Sequence, residues 1–170
     1  VDSLAWLYHS RDRHEEALAG YRRALAIREK TLGLDHPDTA TSLSSLADLY
    51  RSVGRHEEAR PLFHQAIAIR TRKLGPDHPL TAISVHGLAV LYESMGSYHD
   101  ALLLHRRAVG MVFVTDVSDY SREHSAVELL SVFSAGLADF LDRHAGQSSV
   151  DEAIFYYKLS VNTRQRMRAT

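Results

Sequence analysis

Apolar residues recur along this chain at helical spacing, and the helical stripes themselves recur. Leu43, Leu46, Ala47 and Tyr50 stand at i, i+3, i+4 and i+7, which makes one apolar face of an amphipathic helix. A second stripe, Ala59, Phe63, Ala66 and Ile67, follows after Gly54, a residue suited to the left-handed turn at a helix C-terminus. Pro61 is expected near the start of that second helix, where a missing N–H costs least. The stripe runs through Ile69 to about Leu74, where Gly75-Pro76 ends it. Asp77-His78-Pro79 then restarts the chain, with Asp77 as the expected cap and Pro79 in the first turn. Gly33-Leu34-Asp35-His36-Pro37 does the same job one unit earlier.

The hairpin of two helices is itself a repeat. Leu4-Ala5-Trp6-Leu7-Tyr8 is echoed by Leu46-Ala47-Asp48-Leu49-Tyr50 and by Leu88-Ala89-Val90-Leu91-Tyr92, so that 47 − 5 = 42 and 89 − 47 = 42. Glu16-Ala17, Glu58-Ala59 and Asp100-Ala101 keep the same step, as do Asp35-His36-Pro37 and Asp77-His78-Pro79. Three markers in phase predict a stack of helix hairpins. The repeats span about 1–34, 37–75, 79–115 and 122–168, one repeat domain over 1–170. In the fourth repeat Ala138 and Ala153 fall out of phase, which places insertions at about 115–122 and 145–150. The chain opens at Val1 inside the first hairpin, as expected of a fragment of a larger protein. The fold expected is all-α, a right-handed α-solenoid of about four hairpins and eight helices, which presents a concave surface and so favours binding over catalysis.

The skeleton Leu43-x-x-Leu46-Ala47-x-x-Tyr50, continued by Ala59-x-x-x-Phe63-x-x-Ala66, resembles a tetratricopeptide repeat with Leu43 in place of the frequent Trp. The stretches Ala24 to Pro37 and Gly54 to Ala59 are similar to repeats of kinesin light chains, of nephrocystin-3 and of repeat-bearing signalling NTPases. That resemblance implies an adaptor or scaffold module with a groove for a partner peptide or helix. The alternative it leaves open is a spacer or self-association segment of a signalling NTPase. One departure bears on ligand chemistry. Kinesin light chains carry two groove asparagines, and here the matching positions are Ser44 and Ser45, then His86 and Gly87.

Composition narrows the partners. Twenty Lys plus Arg against 21 Asp plus Glu leave a net charge of −1, which gives no reason to expect nucleic acid or an anionic membrane. No cysteine is present, so disulfides and thiolate chemistry are removed together, and a cytoplasmic setting is expected. The histidine pairs His14/His56 and His36/His78 are explained by the repeat, so no metal site is expected. There is no glycine-rich phosphate loop and no G-x-S-x-G elbow, so neither an enzyme nor a cofactor is expected. Arg22-Arg23, Arg106-Arg107, Arg70, Arg72 and Lys73 read as a solvated outer face. Val109 to Val114 reads either as packing or as a contact surface.

The inner face should come from first-helix positions that avoid the apolar stripe. These are Trp6 and His9 (with Asp2) in repeat one, and Thr41, Ser44, Ser45, Asp48 and Arg51 in repeat two. Repeat three contributes His86, Val90 and Glu93 (with Ile83), and repeat four Asp139 and Asp142 (with Arg143). Acids outnumber arginines in this set, so a mildly acidic groove is expected, one that takes a basic or polar partner segment. Solvated polar positions are the competing reading. Trp6 is either a ligand anchor or a ring that packs on a preceding repeat.

Overall fold

The computed structural model describes residue 11, residues 13–114 and residues 120–144. Every regular element among the described residues is an α-helix: α1 (His14–Leu32), α2 (Pro37–Ser52), α3 (His56–Leu74), α4 (Pro79–Ser94), α5 (Tyr98–Val114) and α6 (Tyr120–His144). The expected count of eight takes in residues 1–12 and 145–170, outside the described residues but for Arg11. The chain divides into two compact units, 1–76 and 77–170, each built of neighbouring antiparallel helices.

In the first unit α2 packs against both α1 and α3. Ala40 and Leu43 of α2 join Ala66 and Ile69 of α3 in one buried cluster, on which Leu25 and Leu62 lie. Ala47 and Ala59 are wholly buried, and side chains this small let the helix backbones approach closely. Phe63 fills the remaining space at 1 % exposure. Burying such a ring stabilises by about 1.5–3 kcal/mol. Tyr50 is held from outside: Arg22 Nη2 donates to its hydroxyl at 2.6 Å, and the Arg55 guanidinium lies 4.7 Å from its ring centre.

The turn inside each hairpin closes identically one repeat apart. Arg55 N–H donates to the Tyr50 carbonyl (2.8 Å), and Ser97 N–H to that of Tyr92 (2.9 Å). Gly54 and Gly96 take φ of +78° and +76° there, a region that a Cβ makes costly.

Four local expectations are corrected. His36 and His78, not Asp35 and Asp77, cap α2 and α4: each Nδ1 accepts from the backbone N–H two residues on, at 3.1 Å. The cap is the residue immediately before the first helical one, here a proline, so the aspartates stand one place too early. Asp35 instead pairs with Arg72. Pro61 lies in the second turn of α3, because that helix already starts at His56. It therefore forfeits the N–H that would reach the Glu57 carbonyl, at an exposed position where water can serve that oxygen.

Residues 120–122, expected as part of an inserted loop, are the first residues of α6. Arg70, expected on a solvated face, is 2 % exposed and donates to Thr41 Oγ1 at 2.9 Å. Burial drives its pKa down to about 10, against the pull of the Asp38 charge, and the guanidinium stays protonated at neutral pH. Val109, Met111 and Val112 are buried, so this part of the apolar run serves packing.

Candidate functional site

The helix faces left over after packing carry the candidate residues. In α2 burial of Leu43, Leu46, Ala47 and Tyr50 leaves Thr41, Ser45, Asp48 and Arg51 on one partly exposed stripe. Ser44 falls outside it and is buried at 8 % exposure. Thr41 Oγ1 donates to the Pro37 carbonyl (3.2 Å) while it accepts from Arg70, so its hydroxyl is engaged on both sides. Asp48 Oδ1 accepts from Arg51 Nε at 3.4 Å, a surface pair. Pairs of that kind contribute about 0–1 kcal/mol.

Forty-two residues on, in α4, the same register holds Ile83, Gly87, Val90 and Glu93, while the candidate His86 takes the place of the buried Ser44. The chemistry of the stripe changes there. Where α2 has Asp48 and Arg51 to pair with each other, α4 has Val90 and Glu93, so Glu93 finds no cation on its own helix. Arg143 of α6 supplies one: its Nη1 lies 2.8 Å from Glu93 Oε1 and its Nη2 2.6 Å from Asp139 Oδ2. Asp139, Asp142 and Arg143 are all exposed on α6. Asp2, Trp6 and His9 lie outside the described residues.

Within the second unit α4, α5 and α6 line an open cavity of about 480 Å³. Of the candidates, Val90, Glu93 and Asp139 line it, while His86 sits behind its wall. Tyr98, His105 and His144 also line it, and sequence reasoning did not single them out for the site. His86 stacks on Phe133 with centroids 4.5 Å apart and meets His105 edge-on at 5.1 Å. Gly136 makes room for it, since a Cβ there would stand 3.3 Å from His86 Cε1. The ring contacts continue from His105 through Phe140 to His144, which stacks on Tyr98 at 4.1 Å.

His105 is 2 % exposed, and neither ring nitrogen makes a hydrogen bond among the described residues. Burial, reinforced by the Arg143 charge, lowers its pKa to about 4, so the imidazole is neutral at pH 7. Glu93 Oε2 stands 3.7 Å from Nε2, beyond hydrogen-bond reach. One sequence signal points to this residue. Since 63 − 21 = 42 and 105 − 63 = 42, His105 occupies the core slot held by Tyr21 and Phe63 in the earlier repeats. A histidine in a column of aromatics is a polar group placed in a core.

The Tetratricopeptide repeat family model matches residues 2–71 and 45–112, well over half of the chain. The chain belongs to the tetratricopeptide repeat family. Two solved structures share the fold at 23 % identity. BtubC (BKLC) from P. vanneervenii superposes with a TM-score of 0.67 over 99 % of this chain and 63 % of that one. Nearly identical TPR-like repeats assigned to a kinesin light chain of Podosopora anserina superpose with a TM-score of 0.63 over 99 % of this chain and 95 % of theirs. This chain thus spans less than two thirds of the length of BtubC. No curated protein matches the sequence.

Tetratricopeptide repeats generally mediate protein–protein interaction and are a scaffold type of fold, typically without catalysis. Among the described residues no group of three or more His, Cys, Asp or Glu side chains could hold a metal ion, and no helix is long and apolar enough to cross a membrane.

Proposed function

We propose that this chain is a protein–protein interaction module of an adaptor or scaffold protein, holding a partner peptide or helix against the polar stripes of its first helices. In this reading it is one repeat domain, a right-handed solenoid of eight helices in a cytoplasmic protein, and the absence of cysteine is compatible with that setting. The observation that carries the reading is the pair of partly exposed stripes Thr41-Ser45-Asp48-Arg51 and Ile83-Gly87-Val90-Glu93, which stand at the same register of α2 and α4. Helix faces that satisfy no core demand, on a rigid framework, bind without first ordering themselves, and this lowers the entropic cost of association. Four acids (Asp48, Glu93, Asp139, Asp142) against two arginines (Arg51, Arg143) favour a basic or polar segment. Such a groove typically binds in the micromolar range, about −8 kcal/mol.

A pull-down combined with sizing of the purified chain tests the reading. A heterologous partner at stoichiometric recovery supports the module, and concentration-dependent self-assembly without one favours the spacer. Asp48→Lys reverses the charge at a half-exposed helical position, so affinity for a basic partner should fall while helicity by circular dichroism stays the same. Unaltered affinity would dispose of the acidic face.

A further inference from the structure

The cavity of the second unit holds two carboxylates beside one guanidinium, and a buried polar ring that makes no hydrogen bond among the described residues. Glu93 and Asp139 bring two carboxylates against the one guanidinium of Arg143, and the His144 ring also stands by, its Nε2 3.6 Å from Glu93 Oε1. The Glu93 side chain is only 16 % exposed, so this charge is poorly served by water. Arg143 shows that the two carboxylates are spaced for a guanidinium, since it bridges them by separate nitrogens at 2.8 and 2.6 Å. It engages Oε1 of Glu93 and leaves Oε2 accepting no hydrogen bond among the described residues.

Oε2 and His105 Nε2 face each other 3.7 Å apart. They are too far apart to bond directly, and one polar group of a ligand standing beside the pair, on the cavity side, can reach hydrogen-bond distance of both. That group must donate to the carboxylate. An anion would meet two carboxylates and a guanidinium already committed to both. Tyr98, 46 % exposed and backed by the His144 ring, adds an aromatic face of the kind that attracts a cation.

We propose that the cavity between α4, α5 and α6 is an anchor pocket for one cationic side chain, arginine or lysine, of a bound partner segment. The proposal rests on the reading of the chain as a protein-binding module and names the partner feature that this unit selects. Glu93 accepts the charged group, Asp139 adds to the field, and Arg143 is the built-in competitor that holds Glu93 Oε1 and Asp139 when the pocket is empty.

The test uses the whole chain, isotope-labelled at histidine, titrated near neutral pH with the blocked tripeptide acetyl-Gly-Arg-Gly-amide and its Lys, Gln and Glu counterparts. The Arg and Lys peptides are expected to shift the His105 imidazole resonances saturably, and the Gln and Glu peptides to leave them in place. Glu93→Gln should weaken the Arg peptide by about tenfold or more, the loss of one charge-assisted hydrogen bond. Asp139→Asn, on an exposed position, should weaken it to a lesser degree and serves if the first substitution perturbs the fold. Arg143→Gln should tighten the same peptide, because it removes the competitor and deepens the negative field. A purely structural Arg143 gives no such gain.

Preference for the Glu peptide, abolished by Arg143→Gln, would make this an anion site and overturn the proposal. So would the absence of any saturable shift, or equal Arg-peptide affinity in a folded Glu93→Gln chain. A stoichiometric protein partner whose affinity ignores Glu93→Gln would also overturn the pocket, while the interaction module itself would stand.

Discussion

Acidification should destabilise the second unit through a single side chain, His105. Its imidazole titrates near 6.5 when solvated and at about 4 in the native chain, where burial and the Arg143 charge oppose protonation. Between those values the unfolded chain takes up a proton that the native chain refuses, so acid favours unfolding. The contribution to stability is complete above about pH 6.5, falls by about 1.4 kcal/mol per pH unit below it, and levels off near pH 4. The gap of about 2.5 pH units then amounts to roughly 3 kcal/mol at 2 % exposure, where water gives little screening. Among the described residues the ring meets His86 at 5.1 Å, Phe140 at 5.3 Å and the Glu93 carboxylate at 3.7 Å, and it feels the charge of Arg143, which pairs with that carboxylate.

The measurement is urea unfolding, followed by circular dichroism between about pH 7 and about pH 4, for the native chain and for His105→Phe. Phenylalanine restores the residue type of Phe63 in the equivalent slot, so the variant should fold. Its larger ring can change stability at pH 7 without changing the slope against pH. The native chain should lose about 3 kcal/mol more than the variant across this range. Parallel curves for the two proteins would show that His105 does not titrate as a buried group, and the reasoning would fail.

Two further substitutions probe the helix packing. Ala47→Trp places a large ring at a wholly buried contact of α2 and should cost about 1–3 kcal/mol, read as a lower urea midpoint; an unchanged midpoint would mean that the helices are not closely apposed there. Pro61→Ala restores an N–H in the second turn of α3 at an exposed position, so thermal unfolding should move upward, by about 1–3 kcal/mol in stability. A lower midpoint would show that the proline ring itself is held by contacts.

Periodicity made the hairpins legible before any coordinates. The 42-residue step announced the helix hairpins that α2 to α5 form, because each stripe of Leu, Ala and aromatic positions is a local instruction about which helix face turns inward. The same step located Thr41, Ser45, Asp48 and Arg51 on a leftover face. It could not say that Ser44 is buried or that Arg70 lies inside, since both depend on what a neighbouring helix presents at that height.

The cavity of the second unit lay further still from the sequence. Glu93, His105 and Arg143 sit on three different helices, and the phase slip before α6 breaks the arithmetic that would have aligned the last of them. A repeat tells each helix which of its own faces must be dry, and that much is written in one dimension. Which charge meets which is fixed only when α6 docks, because the energy of an ion pair or an unbonded buried ring depends on distances that residues far apart in the chain acquire together.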